Sequence, residues 1–248
     1  MAEAQALEAF LDGARVDDAV WTLRPDYRAV LLAVDGLTAS FGDDGSEALL
    51  QRAESSAHQA LREQEAEQLP HIAAWREAYR AFGAKPQRTR NSVEALTRRA
   101  EAGLPRVNRL TDIYNAVSVL HQLPVGGEDL AMYCGGPQLI RASGDEAFVT
   151  TRSGAEVTEH PEPGEVVWCD DAGVTCRRWN WRQATRTQLG EHTTTAFFFL
   201  EAWAPMTDAQ LTDAADDLTS HLRRLGPDVR LAHRWLSAPL NERGDRTC

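Results

Sequence analysis

An α+β fold is predicted for this 248-residue chain, and three observations predict it. Up to about residue 121 most apolar residues recur at helical spacing. From Gln138 onward the pattern changes to short strand-like runs separated by Gly, Asp and Pro turns. After Pro205 a helical pattern returns. Helices and strands segregated along a chain point to an α+β domain rather than to alternating β-α units. The length suits one large domain with appended arms, able to bury a core without disulfides.

The elements follow in order. Residues 3–11 form a short helix. Tyr27–Val34 (YRAVLLAV) is a buried strand that ends at the turn signal Asp35-Gly36. A helix begins at Ser46 and places Leu49-Leu50, Ala53, Ala57 and Leu61 on one side. Pro70 interrupts it and a second helix follows, with the stripe Trp75, Tyr79 and Phe82. Gly83 supplies its C-cap and Pro86 stands just beyond. The basic loop KPQRTRNS leads to Ser92, the expected N-cap of a helix that Leu104-Pro105 ends. Thr111–Leu120 is the next helix, followed by Gly126-Gly127. Expected strands are Gln138–Ala142, Ala147–Thr151, Glu165–Cys169, Val174–Trp181 and Thr194–Trp203. The run Phe197-Phe198-Phe199-Leu200 suits a central strand buried on both faces. Thr207 caps a last helix through Leu211, Leu218 and Leu222.

Composition narrows the function classes. No apolar run reaches membrane-spanning length, and no charged segment followed by an apolar stretch opens the chain. The four cysteines, Cys134, Cys169, Cys176 and Cys248, form no C-x-x-C pair and fit no zinc spacing, so free thiols in a reducing cytoplasm are expected. Neither a membrane nor DNA is expected as a partner. The net charge is −11, yet Lys85, Arg88, Arg90, Arg98, Arg99, Arg106 and Arg109 crowd one stretch. Arg177, Arg178, Arg182 and Arg186 crowd another. Two basic stretches on an acidic protein are enough to hold a phosphate backbone; the alternative is that they are solvated or paired with the acidic arm.

No G-x-S-x-G, Walker loop, H-E-x-x-H or Rossmann glycine pattern occurs, and the histidines are scattered without ligand spacing. Metal, cofactor and serine-nucleophile chemistry therefore have no motif to rest on, and no metal or cofactor is expected. In Leu110–Leu120, Leu110, Ile113, Val117 and Leu120 form an apolar stripe; Asp112, Asn115 and Ser118 form a polar one. Periodicity alone makes this an amphipathic helix with a polar face, with Asp112 suited to the helix start.

The segment PRVNRLTDIYNAVSVLHQLPVGGEDL nevertheless resembles the editing-pocket segment of the B3/B4 domain in the phenylalanyl-tRNA synthetase β subunit. Pro105, Val107, Asn108, Asp112, Ile113, Asn115, Val117, Pro124 and Asp129 keep that pattern. Gln138–Ala142 is similar to a family strand, and Glu201 falls on the family's strand glutamate. Trp179-Asn180-Trp181-Arg182 resembles the W-N-W-R of free-standing B3/B4 proteins. The likeness covers roughly residues 70–205.

That resemblance implies a mixed β-sheet core flanked by helices over residues 70–205. Residues 1–69 are expected to pack an N-terminal strand and helices on this domain, and residues 206–248 to form a C-terminal helix and tail. It implies hydrolysis of the ester joining a wrong amino acid to tRNA, in trans, by a positioned water and without a metal. The implied partners are the 3′ end and acceptor stem of aminoacyl-tRNA, with a synthetase as a further partner. Asn115 takes the catalytic place; Glu201, Tyr114 and Asp112 take substrate-binding places. Two departures stand out: the family threonine is Tyr114 here, and the family histidine is Gly126. Gly126 and Gly127 can then present backbone N–H groups to an oxyanion. Arg88, Arg90, Arg178, Arg182, Arg186 and Trp181 are the expected tRNA contacts, by phosphate clamping and base stacking. Two other readings stay open: a non-catalytic tRNA- or RNA-binding module, and a protein that binds a free amino-acid derivative.

Overall fold

A computed structural model describes residues 2–239. Helix α1 (Ala2–Asp12) is followed by β1 (Arg15–Val16), α2 (Asp18–Leu23) and β2 (Arg28–Asp35). Four longer helices come next: α3 (Asp44–Glu63), α4 (Pro70–Ala81), α5 (Ser92–Arg99) and α6 (Arg109–His121). The strand-rich part runs β3 (Val125–Asp129), β4 (Gln138–Arg141), β5 (Phe148–Arg152), β6 (Ala155–Glu159), β7 (Val166–Asp170), β8 (Gly173–Arg177), β9 (Arg182–Gln183) and β10 (Ala196–Ala202). Helix α7 (Asp208–Leu222) and β11 (Arg230–Ser237) close the described chain.

Two sheets organise these elements. An antiparallel sheet of order β11-β2-β10-β3 stands at the centre, and a mixed sheet of order β1-β4-β7-β8-β9 lies on one side of it. Strand β10 has the sequence AFFFLEA, and every residue of it is buried. Its alternate residues serve two cores. Phe198, Leu200 and Ala202 pack with α3, α6 and α7 through Leu50, Ala53, Val117 and Leu218. Phe197 and Phe199 pack toward the second sheet, against Trp75, Trp168, Trp179 and Trp203. The continuous apolar run thus follows from burial on both faces of a central strand.

Local chemistry explains most element ends. Asp43 caps α3 by accepting from Ser46 N–H, and the Ser46 hydroxyl answers with a bond from Asp43 N–H. Pro70 opens α4 at its first turn, where no backbone donor is lost. Gly83 follows α4 with φ +90°, a conformation that glycine adopts without strain. Thr207 caps α7.

Several expectations need correction. Ser92 is not the cap of α5: Asn91 is, its side chain accepting from Glu94 N–H, and Ser92 is the first helical residue. The strand expected over Val174–Trp181 stops at Arg177, because Arg178 and Trp179 take φ of +47° and +68° and turn the chain into β9. Val125–Asp129, which holds Gly126-Gly127, forms a strand that was not among those expected. The end region expected as helix and tail contributes β11, which pairs along all of β2. The strand expected at Tyr27–Val34 is β2, and it adds to the domain's central sheet between β10 and β11. The expected free thiols are present at Cys134, Cys169 and Cys176; Cys248 lies outside the described residues.

Candidate functional site

Helix α6 carries the candidate asparagine. Asn108 caps it by accepting from Thr111 N–H at 2.9 Å. Asp112 then reaches back to Val107 N–H at 2.8 Å. Burial pushes its carboxyl above the usual aspartate range. Asp112 lines a separate acidic depression with Asp43, Asp44 and Glu47. It holds the chain at the start of α6 and does not line the cavity that Asn115 faces, so the structure places it as a helix-start residue and not at the expected substrate contact.

Asn115 faces a cavity of about 240 Å³. The cavity lies between α5, α6, the edge of the central sheet at Val125 and Gly126, and the β8–β9 hairpin. Tyr114, Cys176, Phe199 and Gln183 complete its walls. Asn115 is only 7% exposed, and among the described residues its carboxamide has no hydrogen-bond partner. An amide left open on a cavity wall has its donor and acceptor available to a ligand.

The two glycines have a packing reason. A Cβ on Gly126 would stand 2.1 Å from Phe199 Cζ; one on Gly127 would stand 2.8 Å from rings of both Phe198 and Tyr114. Gly126 pairs with Phe199, and Glu201 N–H donates to Pro124 O at 3.1 Å. Hydrogen-bonded pairs alternate along antiparallel strands, so the same parity turns the Gly126 amide toward β10. That amide is committed to the sheet and does not face an oxyanion. Gly127 turns outward, and its carbonyl accepts from Gln183 Nε2 at 2.7 Å.

The hairpin sequence WNWR distributes its side chains in opposite directions. Trp179 is fully buried in the aromatic core. Asn180 accepts from Tyr79 OH at 2.9 Å and from Ser92 N–H at 3.4 Å, and donates to Glu201 Oε2 at 3.1 Å. Trp181 stays half-exposed on the cavity wall, with the Arg178 and Arg182 guanidinium carbons 4.5 and 4.8 Å from its ring centroid.

Glu201 is fully buried. Its carboxylate accepts from Tyr27 OH at 2.8 Å, Trp168 Nε1 at 3.0 Å and Asn180 Nδ2. Burial pushes its pKa up to about 7 against the opposing pull of those donors. Glu201 is not on the cavity wall; Asn180 stands between them. Direct substrate recognition by Glu201 is therefore replaced by a supporting role.

The basic residues separate into two groups. Arg178 donates to the Thr89 hydroxyl, which joins the hairpin to the loop bearing exposed Arg88 and Arg90. Arg182 lines the cavity and also donates to Glu159. Arg186 makes a two-pronged pair with Asp170, at 2.7 and 3.0 Å, and Asp170's side chain is fully buried. Arg186 therefore braces the fold instead of joining the rim. His121 pairs with Asp217 at 2.9 Å across α6 and α7, and His192 is 90% exposed beside Glu191; neither lines the cavity.

The family model for the B3/4 domain matches residues 74–225. The chain belongs to the B3/4 domain family. An N-terminal fragment of the phenylalanyl-tRNA synthetase β-subunit from Pyrococcus horikoshii has 13% identity to it and a TM-score of 0.45. That match covers 88% of this chain and 49% of the fragment. No curated protein matches the sequence.

Ser92 and Cys176 on the walls of this B3/4 cavity carry no signal in the sequence that marks them as lining residues. Ser92 looked like a cap. Cys176 sits within an ordinary strand pattern. Gln183, one residue past W-N-W-R, gave the one available hint by position.

Proposed function

We propose that this B3/4 protein is a trans-acting aminoacyl-tRNA deacylase. The unpartnered Asn115 carboxamide in an amino-acid-sized cavity carries the reading. The aminoacyl group enters the cavity, Trp181 and Arg182 meet the terminal adenosine at its mouth, and Arg88, Arg90 and Arg178 meet phosphates of the acceptor end.

An aminoacyl ester is already activated, so placing a water against the carbonyl is most of the task. Asn115 holds that water or the ester by its amide. The water oxygen forms a new bond to the carbonyl carbon, and the carbonyl oxygen becomes an oxyanion. Collapse breaks the bond to the ribose oxygen, which takes up the proton released by the attacking water; the products are the free amino acid and the tRNA. A neutral amide suits this role because it donates and accepts without a change of charge. Tyr114, which lies beside Gly127, narrows the same cavity.

One observation favours a second reading, a B3/4 module that binds charged tRNA without turnover: no histidine lines the cavity, and the Gly126 amide is taken by the sheet. Incubation with tRNAs carrying correct and incorrect amino acids separates the two. The deacylase reading expects ester loss from at least one mischarged tRNA, well above the rate in buffer. Salt-sensitive binding with no ester loss across the whole panel contradicts it in favour of the binding module.

A further inference from the structure

The Ser92 hydroxyl has no task in the fold. The cap of α5 is Asn91, and Ser92 is merely the first helical residue. Among the described residues, four hydroxyl oxygens are buried without a partner: those of Ser92, Thr97, Thr175 and Thr187. Of these residues only Ser92 lines the cavity. On the wall made by α6 stands Asn115, more than nine-tenths buried and equally unpartnered. An unsatisfied buried hydroxyl destabilises a fold, and one beside an unpartnered amide on the same cavity points to a partner that arrives with a ligand.

Position adds to this. Ser92 sits on the first turn of α5, where the peptide dipoles leave a positive end that favours a developing negative charge. Its N–H is held by Asn180 Oδ1 at 3.4 Å, which fixes the helix start against the hairpin. With the Gly126 amide turned into the sheet, Ser92 carries the one unpartnered hydroxyl among the lining residues; its Oγ is itself buried, and a turn about the Cα–Cβ bond brings it to a ligand.

We propose that Ser92 is a second substrate-binding residue of this site: its hydroxyl donates to the ester carbonyl oxygen while Asn115 holds the attacking water. The inference rests on the deacylase reading above for the identity of that oxygen, and on the cavity alone for the contact.

The test compares Ser92→Ala with the parent protein. The probes are 3′-aminoacylamino-3′-deoxyadenosines, in which an amide replaces the ester and resists hydrolysis. Ser92→Ala is expected to bind the best analogue about fivefold more weakly or worse, and to hydrolyse charged tRNA with kcat about tenfold lower or worse. Its Tm should equal or exceed the parent's, because the change deletes an unsatisfied buried group. Equal affinity in parent and variant overturns the proposal. So does failure of the parent to bind any analogue, or a drop in Tm that accompanies the lost affinity. A parent that binds through Ser92 yet hydrolyses no charged tRNA contradicts the deacylase reading and leaves the Ser92 contact standing.

Discussion

Glu201 shows how one side chain joins distant parts of the chain. Its carboxylate collects donors from Tyr27 at the start of β2, Trp168 on β7 and Asn180 in the hairpin. The aromatic donors hold the two sheets together; Asn180 carries the effect to the cavity wall and to Ser92. This gives a pH signature. The Glu201 pKa rises from 4.5 to about 7 on folding. Between those values the folded protein keeps a proton that the unfolded chain has lost, so this group's contribution to stability falls as pH rises and levels off above about 7. His71, lowered to about 4 by burial, has the opposite slope below its ordinary value. Comparison of a variant with its parent isolates Glu201. The unfolding free energy of Glu201→Gln, relative to the parent, should rise from about pH 5 to about pH 7 and then stay flat, as read from urea titrations. A constant difference across that range would contradict the buried, proton-holding carboxyl. Glu128 on β3, also fully buried and raised to about 7, remains in both proteins and cancels.

At the scale of elements, β3 shows what a sequence hides. Gly126-Gly127 after a helix has the look of a turn, because glycine is a weak strand former. The strand forms because Phe199 lies across Gly126 while Phe198 and Tyr114 close on Gly127, leaving no room for a side chain. Gly126→Ala should cost about 1–3 kcal/mol by overpacking, measured by urea unfolding. Phe199→Leu in the same chain should recover part of that loss; if the two changes merely add, the ring is not the obstacle. The strand β11 was hidden for another reason. Its sequence RLAHRWLS mixes charge and apolar residues, as suits a half-exposed edge strand, and its partner β2 lies about two hundred residues earlier. By contrast, α3, α4, α6, α7 and the buried run of β10 were legible, because each carries periodicity together with a cap or a breaker. Asn115, which lines the cavity, is singled out in the sequence by its place in a motif, and its part in catalysis is the proposal made above. Asp112 and Glu201 were legible as family positions but not in their roles, since the donors they hold come from Val107 and from three separate elements.

Across the whole molecule, charge separates the arginines by task. The chain is acidic overall, so attraction of a phosphate backbone depends on the local rim at Arg88, Arg90, Arg178 and Arg182. Charge reversal of Arg88 and Arg90 together should weaken tRNA binding and flatten its dependence on salt; it should also lower the unfolding midpoint modestly, because Arg90 lies 3.8 Å from the buried Glu94. Arg186→Ala should act through folding instead. It strips a fully buried Asp170 side chain of its cation, at a cost of about 3 kcal/mol or more. Filter binding at several salt concentrations, run beside urea unfolding, distinguishes these outcomes. A salt slope unchanged by the Arg88 and Arg90 reversal would remove the rim from the account.

The Asn115 amide, left without a partner in the folded chain, is proposed to serve ester hydrolysis. Single-turnover deacylation of a mischarged tRNA measures it most directly, with the parent and Asn115→Ala at matched tRNA occupancy. The account predicts a rate constant about a hundredfold lower in the variant, with binding little changed. Equal rate constants in the two proteins, or no hydrolysis by the parent of any charged tRNA, would contradict it.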